Sequence, residues 1–241
     1  MADERLEEAD WRCHTIIRVA KDTNVPGLGE LKAGDLGKVV GISQYKSKRV
    51  AFTVPSATAL FLNLSQRHYE EAREIAQDFS VAPTLQSLDD EDAFAYLENI
   101  MASVVFAYTA LESFANEEIP SDYIYTVEKG NRCKEVYNKV QMERFLTLEV
   151  KLVKILPAVC GVRSPKGIKA WQDYLELESL RHSIIHMKEA DRDSRLESSK
   201  SVWGRLIKSP VPYSLPVAKR IIDHFYKPRR LKPHWYQNFP F

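Results

Sequence analysis

Residues 100–115, IMASVVFAYTALESFA, form the most apolar run in the chain, and they leave it few options. The run is shorter than the ~20 residues a helix needs to cross a bilayer, and it already carries Glu112. It is therefore expected to be a helix buried in a protein core and not a membrane segment. Four acids, Asp89, Asp90, Glu91 and Asp92, stand just ahead of it. That is where the positive end of a helix dipole favours negative charge. Pro120 stands just behind, so one long helix is expected over about 89–117.

The sequence on either side is also largely helical in pattern. Ser65 begins a segment with acids in its early turns, which predicts a helix over 65–76 with Ser65 as its N-cap. A loop containing Pro83 is expected at 80–87. A further helix is expected over about 141–159, bent in its last turn by Pro157. After a loop at 161–167 another helix should run over about 166–190. A charged linker follows at 191–200, then two shorter helices at 199–208 and 215–226, separated by the proline-rich Ser209-Pro210-Val211-Pro212.

The first part of the chain is different. Runs at 15–20, 31–42 and 48–54 are rich in β-branched residues and are separated by glycine-bearing turns such as Asn24 to Gly29, so they read as short strands. The LKAGDLGKVVGI stretch resembles the start of small SH3-like barrels, where a Gly-Asp turn precedes a twisted strand. The expected organisation is thus a strand-containing segment at 1–64, a helical bundle at 65–190, and C-terminal helices with an aromatic and basic tail at 191–241. The expected fold class is mainly α with a small N-terminal β-containing segment.

Composition limits the function classes. With 241 residues, 44% hydrophobic and 28% charged, the chain has ample material for a core. A net charge of +1 argues against a strongly basic protein, although a local patch can still bind nucleic acid. The N-terminus MADERLEEADWR is acidic and has no apolar core, so no secretory signal is expected. Cys13, Cys133 and Cys160 are odd in number and widely spaced, which suggests no disulfide framework and points to a reducing cytoplasm.

Two constellations carry chemistry. The first is Arg181-His182-Ser183-Ile184-Ile185-His186 on the 166–190 helix. Arginine is a permanent cation that forks onto phosphate oxygens, and histidine trades protons near neutral pH. On a regular helix His182 and His186 share a face, and Arg181 flanks it. The plain alternative is an amphipathic core helix whose polar face happens to hold these residues. A metal site is a further alternative, because Glu178, His182 and His186 recur at four-residue spacing; yet no HExxH motif and no second ligand cluster accompanies them. The second constellation is Glu112 and Asn116, one turn apart on the long apolar helix. A carboxylate there either faces water on a thin polar stripe or is buried and needs a partner, for which Arg181 or a histidine is suited.

In order and spacing these segments resemble the HEPN superfamily of all-α bundles. The likeness covers about 89–190. It rests on the Arg-x4-His motif at Arg181 to His186, with His182 as the polar neighbour. The Ala110-Leu111-Glu112-Ser113-Phe114-Ala115-Asn116 signature also carries it, as does the Thr147 to Leu152 segment followed by Ile155-Leu156-Pro157. The resemblance implies an HEPN-like helical bundle that dimerises, so that two motifs face each other, and that cleaves RNA without a metal or other cofactor. It implies that His186 is a general base or acid and Arg181 a phosphate ligand. His182 would then be a positioning group, and Glu112, on the Asn116 helix, an orienting residue for Arg181. The expected partners are RNA, a second copy of the chain, and an antitoxin or defence-system protein; no membrane is expected. Many members of the superfamily are inactive binding or dimerisation modules, which gives the alternative of a non-catalytic dimeric interaction or RNA-binding protein. The tail Lys227 to Tyr236 mixes cations with aromatics and is expected to dock Trp235, Phe239 and Phe241 rather than leave them in water.

Overall fold

The apolar run is a helix, and most of the second half of the chain is arranged around it. The computed structural model describes residues 10–25, 29–79, 89–129, 133–192, 201–207 and 214–240. The acidic N-terminus, part of the turn at 24–29, the loop at 80–87, most of the linker at 191–200, the run at 209–212 and Phe241 lie outside the described residues. The chain divides into two units, residues 1–60 with 230–241, and residues 61–229.

Among its described residues the first unit holds six short strands: β1 (Ile16–Arg18), β2 (Thr23–Val25), β3 (Gly29–Leu31), β4 (Leu36–Lys38), β5 (Val40–Tyr45) and β6 (Lys48–Thr53). They pair antiparallel as β1 with β4, β2 with β3 and β5 with β6. The Gly-Asp turn before β4 follows from local chemistry. Gly34 takes a φ of 95°, open to glycine at little cost, while Asp35 Oδ2 accepts the Lys32 N–H at 2.7 Å. The C-terminal residues of this unit carry a one-turn helix, His234–Gln237. Trp235 is buried, and Phe239 meets Trp11 edge-on with centroids 5.2 Å apart.

The boundary between the units falls within α1 (Ala57–Phe79). Its start lies two turns before the expected position. Ser56, not Ser65, caps it, accepting the Ala59 N–H at 3.2 Å. Ser65 is buried inside the helix and donates to the Ser103 carbonyl at 2.9 Å.

The second unit is built on α2 (Asp90–Glu118), which starts and ends within a residue of expectation. Asp89 caps it, Asp90, Glu91 and Asp92 fill its first turn, and Ile119-Pro120 stops it. By length and composition it is apolar enough to cross a membrane. In this fold Ile100, Val104, Ala107, Leu111, Phe114 and Ala115 are instead fully buried. α2 packs against α5 (Lys169–Ile185) and α7 (Ser214–Tyr226), which also pack against each other; α6 (Val202–Leu206) touches both α2 and α5. Phe114 meets Phe225 and Tyr226 with centroids 5.8 and 5.3 Å away. A buried chain of hydroxyls links three helices, since Ser65 reaches Ser103 and Ser103 Oγ lies 2.8 Å from Ser214 Oγ. Small polar residues at one level let the backbones approach while every hydroxyl is satisfied.

Between α2 and α5 the chain departs from expectation. An antiparallel hairpin, β7 (Tyr125–Lys129) with β8 (Cys133–Tyr137), precedes α3 (Lys139–Phe145), which Asn138 and Gln141 close with a reciprocal capping box. The single helix expected over 141–159 is broken at Leu146-Thr147, because Thr147 caps a new start by accepting the Val150 N–H at 3.3 Å. The new helix, α4, comprises Leu148–Val150, a π-helical turn at Lys151–Ile155, and Leu156–Cys160. Pro157 has no N–H for the carbonyl four residues back, and the turn just ahead of it is the one that widens. Gly161, at φ 67°, ends α4 in the left-handed conformation.

Below α2's last turn, Glu118 accepts hydrogen bonds from the Tyr226 hydroxyl and the Arg229 guanidinium. Burial and this carboxylate push the Tyr226 hydroxyl far above the ordinary tyrosine range. Tyr96, whose hydroxyl donates to the Leu206 carbonyl at 2.7 Å, is pushed up to about 12 from 10 by burial. A group raised in the folded state stabilises it fully below the unfolded value, and that contribution is lost as pH climbs toward the folded value. The thermal midpoint should therefore fall as pH rises above 10, toward the value of about 12 for Tyr96. In Tyr96→Phe the fall should be shallower, from a starting stability about 1 kcal/mol lower for the lost hydrogen bond. Differential scanning fluorimetry across that range checks both.

Candidate functional site

A cleft of about 730 Å³ opens in the second unit, and four helices build it. α2 supplies Tyr108, Glu112 and Asn116; α3 and α4 supply Glu143, Arg144 and Lys151; α5 supplies Glu178, Ser179, Arg181, His182 and Ser183. The i, i+4, i+8 spacing of Tyr108, Glu112 and Asn116 places them on the one stripe of α2 that is polar.

Four of the five residues singled out from sequence therefore line one cavity: Arg181, His182, Glu112 and Asn116. His186 does not line it. α5 ends at Ile185, and His186 caps it with φ −119° and ψ 49°, its N–H donating to the His182 carbonyl at 3.0 Å. The expected helix to 190 stops short, yet the two imidazoles still lie side by side, both exposed. Their ring centres are 4.7 Å apart.

Arg181 lies with its guanidinium 5.0 Å from the Tyr108 ring centre, in cation–π geometry. Its Nε is buried and has no hydrogen-bond partner. An orphaned guanidinium donor costs about 1–3 kcal/mol, and an anionic acceptor is what satisfies it. One turn earlier on α5, Glu178 is held in place, its Oε1 accepting from Tyr108 at 3.1 Å and from Tyr174 at 2.8 Å. The two rings stack with centroids 6.4 Å apart. Burial, with Glu178 second, pushes the Tyr108 hydroxyl well above its usual range, and Tyr174 is raised further still, so both act as donors. Glu178 is thus engaged by tyrosines and not by the histidines with which it shares a helix. Among the described residues no group of three or more His, Cys, Asp or Glu side chains is placed to hold a metal ion.

Glu112 faces a partner that the sequence did not single out. Lys151, only 4% exposed, donates from Nζ to Asn116 Oδ1 at 2.8 Å and to the Glu143 carbonyl at 3.2 Å. Burial pulls its pKa below the usual lysine value, and the charges of Glu112 and Glu143 partly restore it. Lys151 opens the π-helical turn, a local irregularity that often aims a side chain at a functional position. Arg205 of α6 is the second cation missed. It donates from its two terminal nitrogens to Ser183 Oγ at 3.1 Å and Ser179 Oγ at 3.3 Å, two hydroxyls of the cleft rim. Arg205 belongs to no motif, and Lys151 lies within the Thr147 to Leu152 segment without standing out there. Only the apolar spacing around Lys151, read with a break at Thr147, could have flagged it.

Chemically, the cleft offers one guanidinium with an unused donor, a rim imidazole, and cations on two sides of an otherwise acidic floor. That set suits an anion whose charge grows during a reaction, such as a phosphodiester. No protein-family model, curated protein or solved structure matches the chain. Replacing Lys151 by Met should lower unfolding stability by about 1–3 kcal/mol, because Asn116 Oδ1, the Glu143 carbonyl and Glu112 lose their buried cation. Urea denaturation monitored by tryptophan fluorescence measures it, and an unchanged midpoint would show the ammonium to be dispensable for folding.

Proposed function

We propose that the chain is an HEPN-like, metal-independent endoribonuclease that acts in the cytoplasm as a homodimer, in the role of a toxin or defence effector. The observation that carries this reading is the meeting of Arg181 and His182 with Glu112 and Asn116 around one cleft. These come from two helices far apart in sequence, and both helices carry segments on which the resemblance rests.

In this mechanism the Arg181 guanidinium binds the scissile phosphate and offsets the charge that develops on its oxygens. A histidine, His186, takes the proton of the ribose 2′-OH or returns one to the leaving oxygen. The 2′-oxygen attacks phosphorus, the bond to the 5′-oxygen breaks, and the products are a 2′,3′-cyclic phosphate and a 5′-OH. His182, on the cleft rim, positions the substrate. Glu112 acts on the site through Lys151, whose charge it helps retain. A second copy of the chain faces its own Arg181 and His186 toward the same RNA.

One observation favours a second reading. His186 lies off the cleft lining, and the Arg181 guanidinium rests on an aromatic face, so the site also suits an RNA-binding or dimerisation module that does not cleave.

Purified protein incubated with total RNA in excess EDTA should cleave it. Kinase labelling of the products without prior dephosphorylation should succeed, since they carry 5′-OH ends. Arg181→Ala and His186→Ala should each lower the rate at least about 100-fold, the usual weight of an acid–base or charge-stabilising group. Cleavage that chelator abolishes, or that survives His186→Ala intact, excludes the mechanism. RNA bound tightly but left whole by the wild type establishes the second reading.

A further inference from the structure

The β5–β6 hairpin of the first unit has no part in the cleft, yet its surface is unusual. No Asp or Glu occurs between Asp35 and Glu70, a stretch that holds Lys38, Lys46, Lys48, Arg49 and Arg67. The acids nearest in sequence on the N-terminal side are engaged: Asp22 and Glu30 pair with Lys32, as Asp10 does with Arg12. Among the described residues no acid pairs with Lys46, Lys48 or Arg49.

The register puts two aromatic rings and Lys48 on one face. Tyr45 lies opposite Lys48, Ser43 opposite Val50 and Gly41 opposite Phe52. Alternation of side chains sends all six the same way. Tyr45 is 68% and Phe52 47% exposed. A Cβ at Gly41 would sit 2.9 Å from the tip of the Phe52 ring, so that ring lies over bare backbone with its other side toward solvent. Lys46 makes the turn at φ 54°, a left-handed conformation normally left to Gly, Asn or Asp, and its ammonium stands 5.7 Å from the Tyr45 ring centre. A cation thus occupies the tip at a conformational cost.

We propose that this hairpin is a docking surface for single-stranded nucleic acid. Lys46, Lys48 and Arg49 contact the phosphates, and Tyr45 and Phe52 offer faces on which bases stack. A lipid surface fits less well, because each face of the hairpin carries a cation (Lys48 on one, Arg49 on the other), and burying either in hydrocarbon is costly. An apolar protein partner would leave three cations desolvated without counter-charge. None of the hairpin residues lines the cleft, and the inference holds whether or not the cleft cuts RNA.

The test uses the full chain and a fluorescein-labelled 20-nucleotide oligo(dT), which has no 2′-OH and so stays intact whatever the cleft does. Anisotropy titrations across a salt series should show binding that weakens with salt. The triple variant Lys46→Glu, Lys48→Glu, Arg49→Glu should bind at least about ten-fold more weakly, with a log–log salt slope smaller by about 2, near 0.7 per lost phosphate contact. Tyr45→Ala should bind about ten-fold more weakly with the slope unchanged. All four positions are exposed, and circular dichroism checks that each variant folds; if the triple variant does not, Tyr45→Ala decides. A folded triple variant, or Tyr45→Ala, that binds like the wild type overturns the proposal. So does wild-type protein that ignores the oligonucleotide while sedimenting with phosphatidylserine vesicles.

Discussion

Burial of α2 is the constraint on which the second unit depends. A 29-residue helix with a nearly continuous apolar surface is unstable in water unless neighbours cover it. α5 and α7 provide that cover, with α6 and α4 completing it. Because so much of α2 is enclosed, the few polar side chains along it cannot simply face solvent. Ser103 is satisfied by serines of two other helices, Tyr108 by Glu178, Asn116 by Lys151, and Glu118 by Tyr226 and Arg229. Each of those bonds fixes where another helix must stand. The cleft lies where this enclosure is incomplete, along the stripe from Tyr108 to Asn116.

The balance of charge within the cleft follows from the same enclosure. Glu112, Glu143 and Glu178 would repel one another and any anion if they stood alone. Glu178 is instead taken up by two tyrosine hydroxyls, and the other two bear on Lys151. What is left with unused capacity is cationic, the Nε of Arg181. A site can be acidic in composition and still present a positive group to a ligand, provided its acids are internally engaged.

The parts of this fold that were legible in the sequence were those set by short-range rules. The acids before α2 and the proline after it marked that helix to within a residue, and Gly34-Asp35 marked its turn. Errors arose where two rules competed. Ser65 has the chemistry of a cap, but Ser56, next to Pro55, holds that role because Ser65 is drawn inward to Ser103. Thr147 could continue a helix or cap one, and capping won. The β7–β8 hairpin was marked by a Gly-Asn pair between aromatic and β-branched residues, a signal present but weak beside the helical pattern around it. For the candidate site, Arg181, His182, Glu112 and Asn116 were visible as residue types at telling spacings. Lys151 and Arg205 were not, since a lysine in an apolar helix and an arginine on a five-residue helix acquire meaning only from what tertiary packing sets beside them.

The π-helical turn of α4 ties the core and the cleft to a single chain length. The Leu156 N–H bonds to the carbonyl of Lys151, five residues back, so the turn holds one residue more than a regular helix would. That extra residue sets the phase of everything after it, by roughly 100°. Ahead of it Lys151 reaches Asn116; beyond it Ile155 and Leu156 are fully buried. Removing one residue here would take away the widened turn, yet it could keep only one side of it in register. Variation in this segment is therefore confined to side-chain exchange, with insertion and deletion closed to it, although nothing in its composition says so.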